Sequence, residues 1–368
     1  IYEDAGLWSS IADQAEAIDT IHISDRGHFG VTRLTKQQEA VAALGYVVEN
    51  RYLGEKLYAA MSAAENISLY CPAQLETLHK EQGRVTISIQ YDDAFCMLSA
   101  DLLVAADGNN SKVLKLLNIG SHRKDYDQVA LVTNVTPGKN HDNIAYERFT
   151  DSGPLAFLPM RDNRCSVVWT LTSEQADYLY AMDDADFLDQ LQQRFGFRLG
   201  KLKKTGVRQL YPLFLQSATR MVSGRVAIIG NAAHSVHPVA GQGFNLALRD
   251  VALLSRLILA AKQSSSDIGD ENLLQQYTDQ RQQDIRRVYQ FTDTLVRTFS
   301  NAIKPRAQQR SLSLFMVDIL PDIKHMLAAQ SMGLNNSTAI DPGNSRGNDR
   351  GASLRQGLMR RVSRAFRQ

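Results

Sequence analysis

The sequence predicts an α/β protein in which a domain of buried strands is interrupted by a mostly antiparallel sheet. Three observations predict it. The run RVAIIG, ending at Gly230, is aliphatic throughout its interior and leads through the polar loop GNAAHSVHPVAGQGFN (230–245) into LALRDVALLSRLILAA. An aliphatic run of that kind reads as a parallel strand buried on both faces, and the spacing after it is helical. A second apolar run, LLVAADG, stops at Asp107-Gly108. Between 128 and 171 the texture changes to VALVTNVT, IAYERFT, PLAFLPM and CSVVWTL, separated by PGKN, DSGP and RDNR, which is the signature of strands joined by turns.

Taken in order, apolar spacing predicts a helix over 7–17, then β-type runs at TIHIS and VAALGYVVE. NRYLGEKLYAAMSAA places Leu53, Leu57, Tyr58 and Met61 on one helical face, and RVTISIQ alternates with the period of a strand. Helical spacing returns at SEQADYLYAM and DFLDQLQQRF, followed by a β-type run at VRQLYPL. Beyond Gly241 the pattern is helical almost to Gln330, punctuated by Pro305 and Pro321. Residues 333–353 are poor in aliphatics and rich in Gly, Asn and Ser, which predicts a flexible linker.

Composition narrows the function. The 368 residues, 44% hydrophobic and 22% charged, suit a globular protein, and a net charge of +2 gives no ground for nucleic-acid binding. Cys71, Cys96 and Cys165 stand far apart without a C-x-x-C spacing, so neither a zinc site nor a disulfide framework is expected and a reducing cytoplasmic setting fits. VALLSRLILAA is interrupted by Arg256 and falls short of the roughly 18 apolar residues of a membrane-spanning helix. The last fifteen residues, LRQGLMRRVSRAFRQ, set Leu354, Leu358, Val362 and Phe366 four apart among five arginines. As a helix this tail is basic and amphipathic, suited to an anionic membrane surface or a partner protein; a solvated basic tail is the alternative.

The 230–245 loop begins where ligands bind in open α/β sheets, beyond the carboxyl end of a strand. Gly230 lets a ligand approach the backbone, Asn231 both donates and accepts hydrogen bonds, and the unpaired N–H groups of a helix starting near Phe244 favour an anionic or carbonyl-bearing edge. A Gly-rich strand-to-helix turn without a ligand explains the same residues.

Joined to AADGNNS (105–111), the loop shifts that balance. The residues Gly230-Asn231-Ala232-Ala233-His234, Pro238, Gly241-Gln242-Gly243 and the earlier Asp107-Gly108 resemble the late and middle motifs of the flavin-dependent aromatic hydroxylases, the group A flavoprotein monooxygenases. HPVAGQGFNLALRD, ERFTDSGPLAFLPM and HISDRGHFG resemble the ubiquinone-biosynthesis branch of that family, over about residues 1–330.

The resemblance implies a Rossmann-like three-layer FAD-binding domain with an inserted substrate sheet and C-terminal helices. The expected division is 1–120, partial FAD domain with part of the substrate domain; 121–212, substrate sheet; 213–330, the return of the FAD domain; 331–368, linker and tail. The family's opening Gly-x-Gly-x-x-Gly turn does not occur, and the chain starts at Ile1 rather than Met, so its first β-α-β unit is expected to be missing here. The implied activity is hydroxylation of a polyprenylated phenol by oxygen transfer from a flavin hydroperoxide, with FAD as cofactor, NAD(P)H as electron donor, molecular oxygen as co-substrate, and a ubiquinone-biosynthesis protein complex and the inner face of a membrane as partners. The alternative is a non-catalytic, flavoprotein-like subunit of that assembly. A halogenase is disfavoured by the absence of a Trp-x-Trp-x-Ile motif.

By the same resemblance, Gly230 and Asn231 hold the ribityl chain, Gly241, Gln242, Gly243, Phe244 and Asn245 lie along the isoalloxazine edge, and Pro238 lines the place where ring and substrate meet. Asn50 and Arg51, at the start of a helix, are further cofactor candidates. Asp107 either approaches the cofactor or caps the helix SKVLKLL, for which Asn110 and Ser111 also serve. His234 and His237 lack a third ligand nearby and read as structural rather than metal-binding. Phe157, Leu158 and Met160 either line an apolar tunnel or pack in the sheet core.

Overall fold

The computed structural model describes residues 1–25, 31–236 and 242–299, with side chains from 243 to 290 in the last stretch. These all belong to one unit, Ile1–Met332; the linker and basic tail expected at 333–368 lie outside the described residues, as does the helical pattern around Pro305 and Pro321.

Leu103–Ala105 and Val226–Ile228 pair in parallel, with Leu103 opposite Val226 and Ala105 opposite Ile228, and Val222–Ser223 closes one edge. Val226, Ala227 and Ile228 are wholly buried, as expected of a strand covered on both faces. The cover comes partly from helices Gln242–Gln263 and Glu271–Phe299, which bring Leu246, Leu254, Leu274 and Tyr277 into the same core. A separate antiparallel sheet is formed by Ala73–Glu81, Arg84–Tyr91 and Ala94–Ala100.

Among the described residues the largest sheet has nine strands. Along it run His234–Ser235, Gln209–Ala218, Ser121–Thr136, Arg164–Thr172, Pro154–Met160, Ile144–Phe149, Thr20–Asp25 and Val31–Thr35, with Lys204–Thr205 paired to Ser121–Thr136. All its pairs are antiparallel except Ile144–Phe149 with Thr20–Asp25. One face carries Leu155, Phe157, Val167, Trp169 and Leu171 against helices Ser173–Ala181 and Asp184–Phe195, whose Ala176, Leu179, Phe187, Leu191 and Phe195 complete an apolar core. Both helices start on side-chain caps: Thr172 forms a reciprocal capping box with Gln175, and Asp183 accepts from the Asp186 N–H. The opposite face presents Glu147, Ala156, Leu158, Ser166 and Val168, all half-buried.

One expected element breaks up. Instead of a helix over 7–17, Trp8–Ile11 is α-helical, Ala12–Gln14 is a single 3₁₀ turn, and Glu16–Ile18 is a strand paired with Gly45–Val47. Inter-strand hydrogen bonds, continued by Leu44 N–H to the Ile18 carbonyl at 2.8 Å, outweigh the helical spacing of a short segment. Of the β-type run VAALGYVVE, only Gly45–Val47 is extended in a ladder.

Candidate functional site

The parallel pair places the two motifs side by side. Because Ala105 lies opposite Ile228 and the Ile229 N–H donates to the Ala105 carbonyl at 3.0 Å, Asp107-Gly108 and Gly230-Asn231 leave adjacent strands at the same carboxyl edge. Asp107 and Asn231 are exposed there. Gly230 has φ +59°, in the region that an L side chain enters only with strain, and opens the short helix Gly230–Ala233.

Asp107 is a helix cap: its Oδ2 accepts from Val113 N–H at 3.1 Å, while Ser111 Oγ accepts from Leu114 N–H at 3.0 Å. Ser111, rather than Asn110, is the N-cap of helix Lys112–Leu116. Gln216, from the large sheet, reaches across to the same turn and donates to the Asn109 carbonyl at 3.2 Å.

Beneath the loops lies a buried ionic cluster. Asp250, fully buried on helix Gln242–Gln263, accepts from Gly230 N–H at 2.8 Å and from His234 Nε2 at 2.7 Å through Oδ2, and from Arg281 Nε at 2.6 Å through Oδ1. A carboxylate only accepts, so His234 carries its proton on Nε2. Arg281 also pairs with Asp284 and donates to the Leu246 carbonyl; Asp284 binds Arg249, whose Nε donates to the Asn245 carbonyl. Burial pushes the Asp250 carboxyl up, but the hydrogen bond and charge of His234, the charge of Arg281 and the Gly230 N–H prevail and hold it below the ordinary carboxylate range.

Two carboxylates and two guanidiniums thus tie the Gly230 loop, the first turn after Asn245 and helix Glu271–Phe299 into one body. Tyr277 adds a hydrogen bond from its hydroxyl to the Ile228 carbonyl at 3.2 Å. His234 spends its Nε2–H on Asp250, and no group of three metal-ligating side chains exists among the described residues. Asp250 closes the motif HPVAGQGFNLALRD, but nothing in the sequence singled out Arg281 or Asp284: the bonds that join the three to the loop, to the helix after it and to one another across helices span 16 to 35 residues, and only the fold makes them.

Helix Gln242–Gln263 begins at the expected place, with Gly243 against Val236, Phe244 exposed at 55% and Asn245 half-buried. Gln242 is described in its backbone alone, and Pro238, His237 and Gly241 lie outside the described residues. Asn50 and Arg51 open helix Asn50–Ala63, and Arg51 lines a separate cavity of about 260 Å³ with Glu49, Tyr52, Met160, Arg161 and Arg164. No described hydrogen bond or ion pair links that cavity to the Gly230 loop. Of the apolar candidates, Phe157 stacks on Phe195 at 3.9 Å between ring centroids, inside the helix-covered core. Leu158 is on the opposite face, and Met160 borders the Arg51 cavity.

These residues fit the ribityl and ring end of a flavin. The backbone at Gly230 is free of a Cβ, polar side chains of Asp107 and Asn231 stand exposed beside it, and the first N–H groups of a 22-residue helix follow close by.

Parallel strands ending in these two loops, joined to a large antiparallel sheet, are the frame in which the comparisons place an FAD-dependent monooxygenase. The FAD binding domain family matches residues 1–292, and the chain belongs to it. Among its relatives, ubiquinone hydroxylase UbiL of Rhodospirillum rubrum is 35% identical over 338 residues, 90% of this chain and 77% of that protein. The 3-demethoxyubiquinol 3-hydroxylase of Escherichia coli is 30% identical, over 79% of this chain and 73% of that protein. In fold, the chain resembles p-nitrophenol 4-monooxygenase PnpA of Pseudomonas putida with a TM-score of 0.74 at 14% identity, covering 90% of this chain and 85% of that one.

Proposed function

We propose that this monooxygenase hydroxylates the aromatic ring of a polyprenylated phenol, a ubiquinone precursor, with NAD(P)H as electron donor. The observation that carries the reading is the side-by-side exit of Asp107-Gly108 and Gly230-Asn231 from adjacent parallel strands, over an ionic cluster that fixes the second loop. The names of UbiL and the Escherichia coli hydroxylase support the substrate class.

Bound FAD supplies the activation of oxygen, so the chain needs no nucleophile or metal of its own. Asn231 and Gly230 are assigned to the ribityl chain, the backbone N–H groups of Gly243, Phe244 and Asn245, with Gly241 and Gln242, to the ring edge, and Pro238 to the ring–substrate boundary. Arg51 and Asn50 are assigned to the cofactor from the other cavity. The half-buried face of Ala156, Leu158 and Val168 gives an apolar wall suited to a prenylated ring and to excluding water from it. Residues 121–212 are assigned as the substrate sheet between the two parts of the FAD domain.

No helix among the described residues is long and apolar enough to cross a membrane. The proposed setting is the cytoplasmic face of a membrane, reached through the basic tail 354–368, with a ubiquinone-biosynthesis complex as the surrounding assembly. Deleting 354–368 is expected to reduce co-sedimentation with anionic vesicles; unchanged partitioning would remove the tail from the reading.

The activity test is incubation of the FAD-loaded protein with NADPH, a short-chain polyprenylphenol and ¹⁸O-labelled dioxygen. One labelled oxygen atom in the product ring is expected. NADPH oxidation that yields only hydrogen peroxide, across phenols of differing ring substitution, would refute the assigned substrate class.

A further inference from the structure

A second cavity, of about 500 Å³, opens on the large sheet and is lined by Thr20, His22, Arg33, Thr35, Ile144, Tyr146 and Arg198. Register puts the strand residues on one face: Thr20 lies opposite Thr35 and Ile144, and His22 opposite Arg33 and Tyr146. That is the face of Phe157, since Tyr146 is opposite Phe157 and packs edge-on against Phe195 at 5.4 Å. The cavity therefore lies on the side of the sheet away from the Ala156–Leu158–Val168 wall, and from the Arg51 cavity, which is bordered by Met160 and Arg164 of the other face.

The chemistry of its lining is one-sided. Three of the seven residues are basic and none is acidic. Arg33 and Arg198 make no ion pair among the described residues, and Asp142, whose charge reaches Tyr146, stands outside the lining. His22 is 94% buried, and its Nδ1 has no hydrogen-bond partner among the described residues. Burial, and then the positive charges of Arg198, Arg33 and Arg148, hold its imidazole below the ordinary range. A buried ring nitrogen without a partner calls for a polar group, and two guanidiniums with no carboxylate in the lining favour a negative one.

We propose that this cavity binds an organic phosphate. Two guanidiniums, an imidazole and the hydroxyls of Thr20, Thr35 and Tyr146 offer donors from several directions, which suits a tetrahedral oxyanion better than a planar carboxylate. Its volume lies within the range of small-molecule sites and exceeds what a bare phosphate fills. A nucleotide and inorganic pyrophosphate share the chemistry that the lining reads.

The test is calorimetric titration of the FAD-saturated protein with adenosine 5′-monophosphate, pyrophosphate and adenosine, so that the cofactor's own site is filled and turnover plays no part. Binding of the two phosphates at one per chain is expected, with none for adenosine. Arg33→Gln and Arg198→Gln, both at exposed positions, are each expected to weaken binding at least tenfold without altering thermal unfolding. Arg84→Gln, which removes the same charge elsewhere on the surface, is expected to leave it unchanged. Tighter binding of the nucleotide identifies a nucleotide site; equal binding shows that the phosphate group is all that is read. Absence of phosphate binding, undiminished binding in both variants, or equal weakening by Arg84→Gln would overturn the proposal.

Discussion

The two main cores of this monooxygenase are built from different materials. Beside the parallel strands, aliphatic side chains surround Asp250, Arg281 and Asp284, which are all buried. Under the large sheet, Phe157, Trp169, Phe187, Leu191 and Phe195 pack together, and the neighbouring buried polar side chain Gln192 is neutral, accepting from Leu202 N–H and donating to the Gly196 and Gly200 carbonyls. Apolar packing supplies stability without direction, whereas a buried carboxylate is stable only while each of its partners stays in place. The ionic core lies where a loop must be held in one geometry; the apolar core supports a platform.

The largest expected effect comes from breaking the ionic core. Asp250→Ala leaves Arg281 buried without its main partner and deprives Gly230 N–H and His234 of an acceptor, so a loss of roughly 3–5 kcal/mol is expected in urea unfolding. Flavin affinity, followed by fluorescence, should fall with it. Because the folded Asp250 carboxyl is more acidic than in the unfolded chain, its stabilisation is present above the unfolded value near 3.8 and is lost as pH falls further.

Phe187→Ala is the counterpart in the apolar core. It should cost about 3 kcal/mol through the cavity it leaves, with FAD affinity unchanged once the protein is folded. An equal fall in flavin affinity would erase the distinction between the cores.

Glu147 tests the half-buried face of the sheet. Burial raises its carboxyl from 4.5 to about 7. The folded state then binds more protons than the unfolded one between those values, so stability should decline by roughly 2 kcal/mol as pH rises from 4.5 to 7 and level off above. Glu147→Gln should flatten that segment of the stability–pH curve; an unaltered slope would place the dependence elsewhere.

The smallest effect is a matched pair of backbone changes. Gly230→Ala and Gly196→Ala each force a side chain into positive φ, at +59° and +89°, with no contact for the new Cβ closer than 3.7 Å. Gly230→Ala should cost on the order of 1 kcal/mol, and Gly196→Ala, whose ψ of −171° lies where only glycine fits readily, roughly 1–3 kcal/mol. Only the first should reduce FAD affinity, since only Gly230 is bonded into the loop proposed to hold the flavin.

Much of this was legible along the chain. RVAIIG announced a buried strand because its interior has no polar atom to satisfy, and the helices starting at Asn50, Ser173 and Gln242 followed from apolar spacing that repeats over several turns. The segment 7–17 was misread because so short a stretch gains more from pairing with Gly45–Val47 than from its own helical hydrogen bonds. PLAFLPM showed a strand but not which side chains met the core; register alone sends Phe157 to Phe195 and Leu158 to the other face.

The sequence by itself determined the strand-to-helix grammar, whose spacing is a local property of the backbone, and its motifs carried the resemblance to the family. Only the tertiary structure decided that Asp107 exits beside Gly230, that Asp250 and Arg281 hold that loop, and that His22, Arg33 and Arg198 meet in one cavity. Those are contacts between residues distant in the chain, and they exist only once strand register and helix packing have closed the distance.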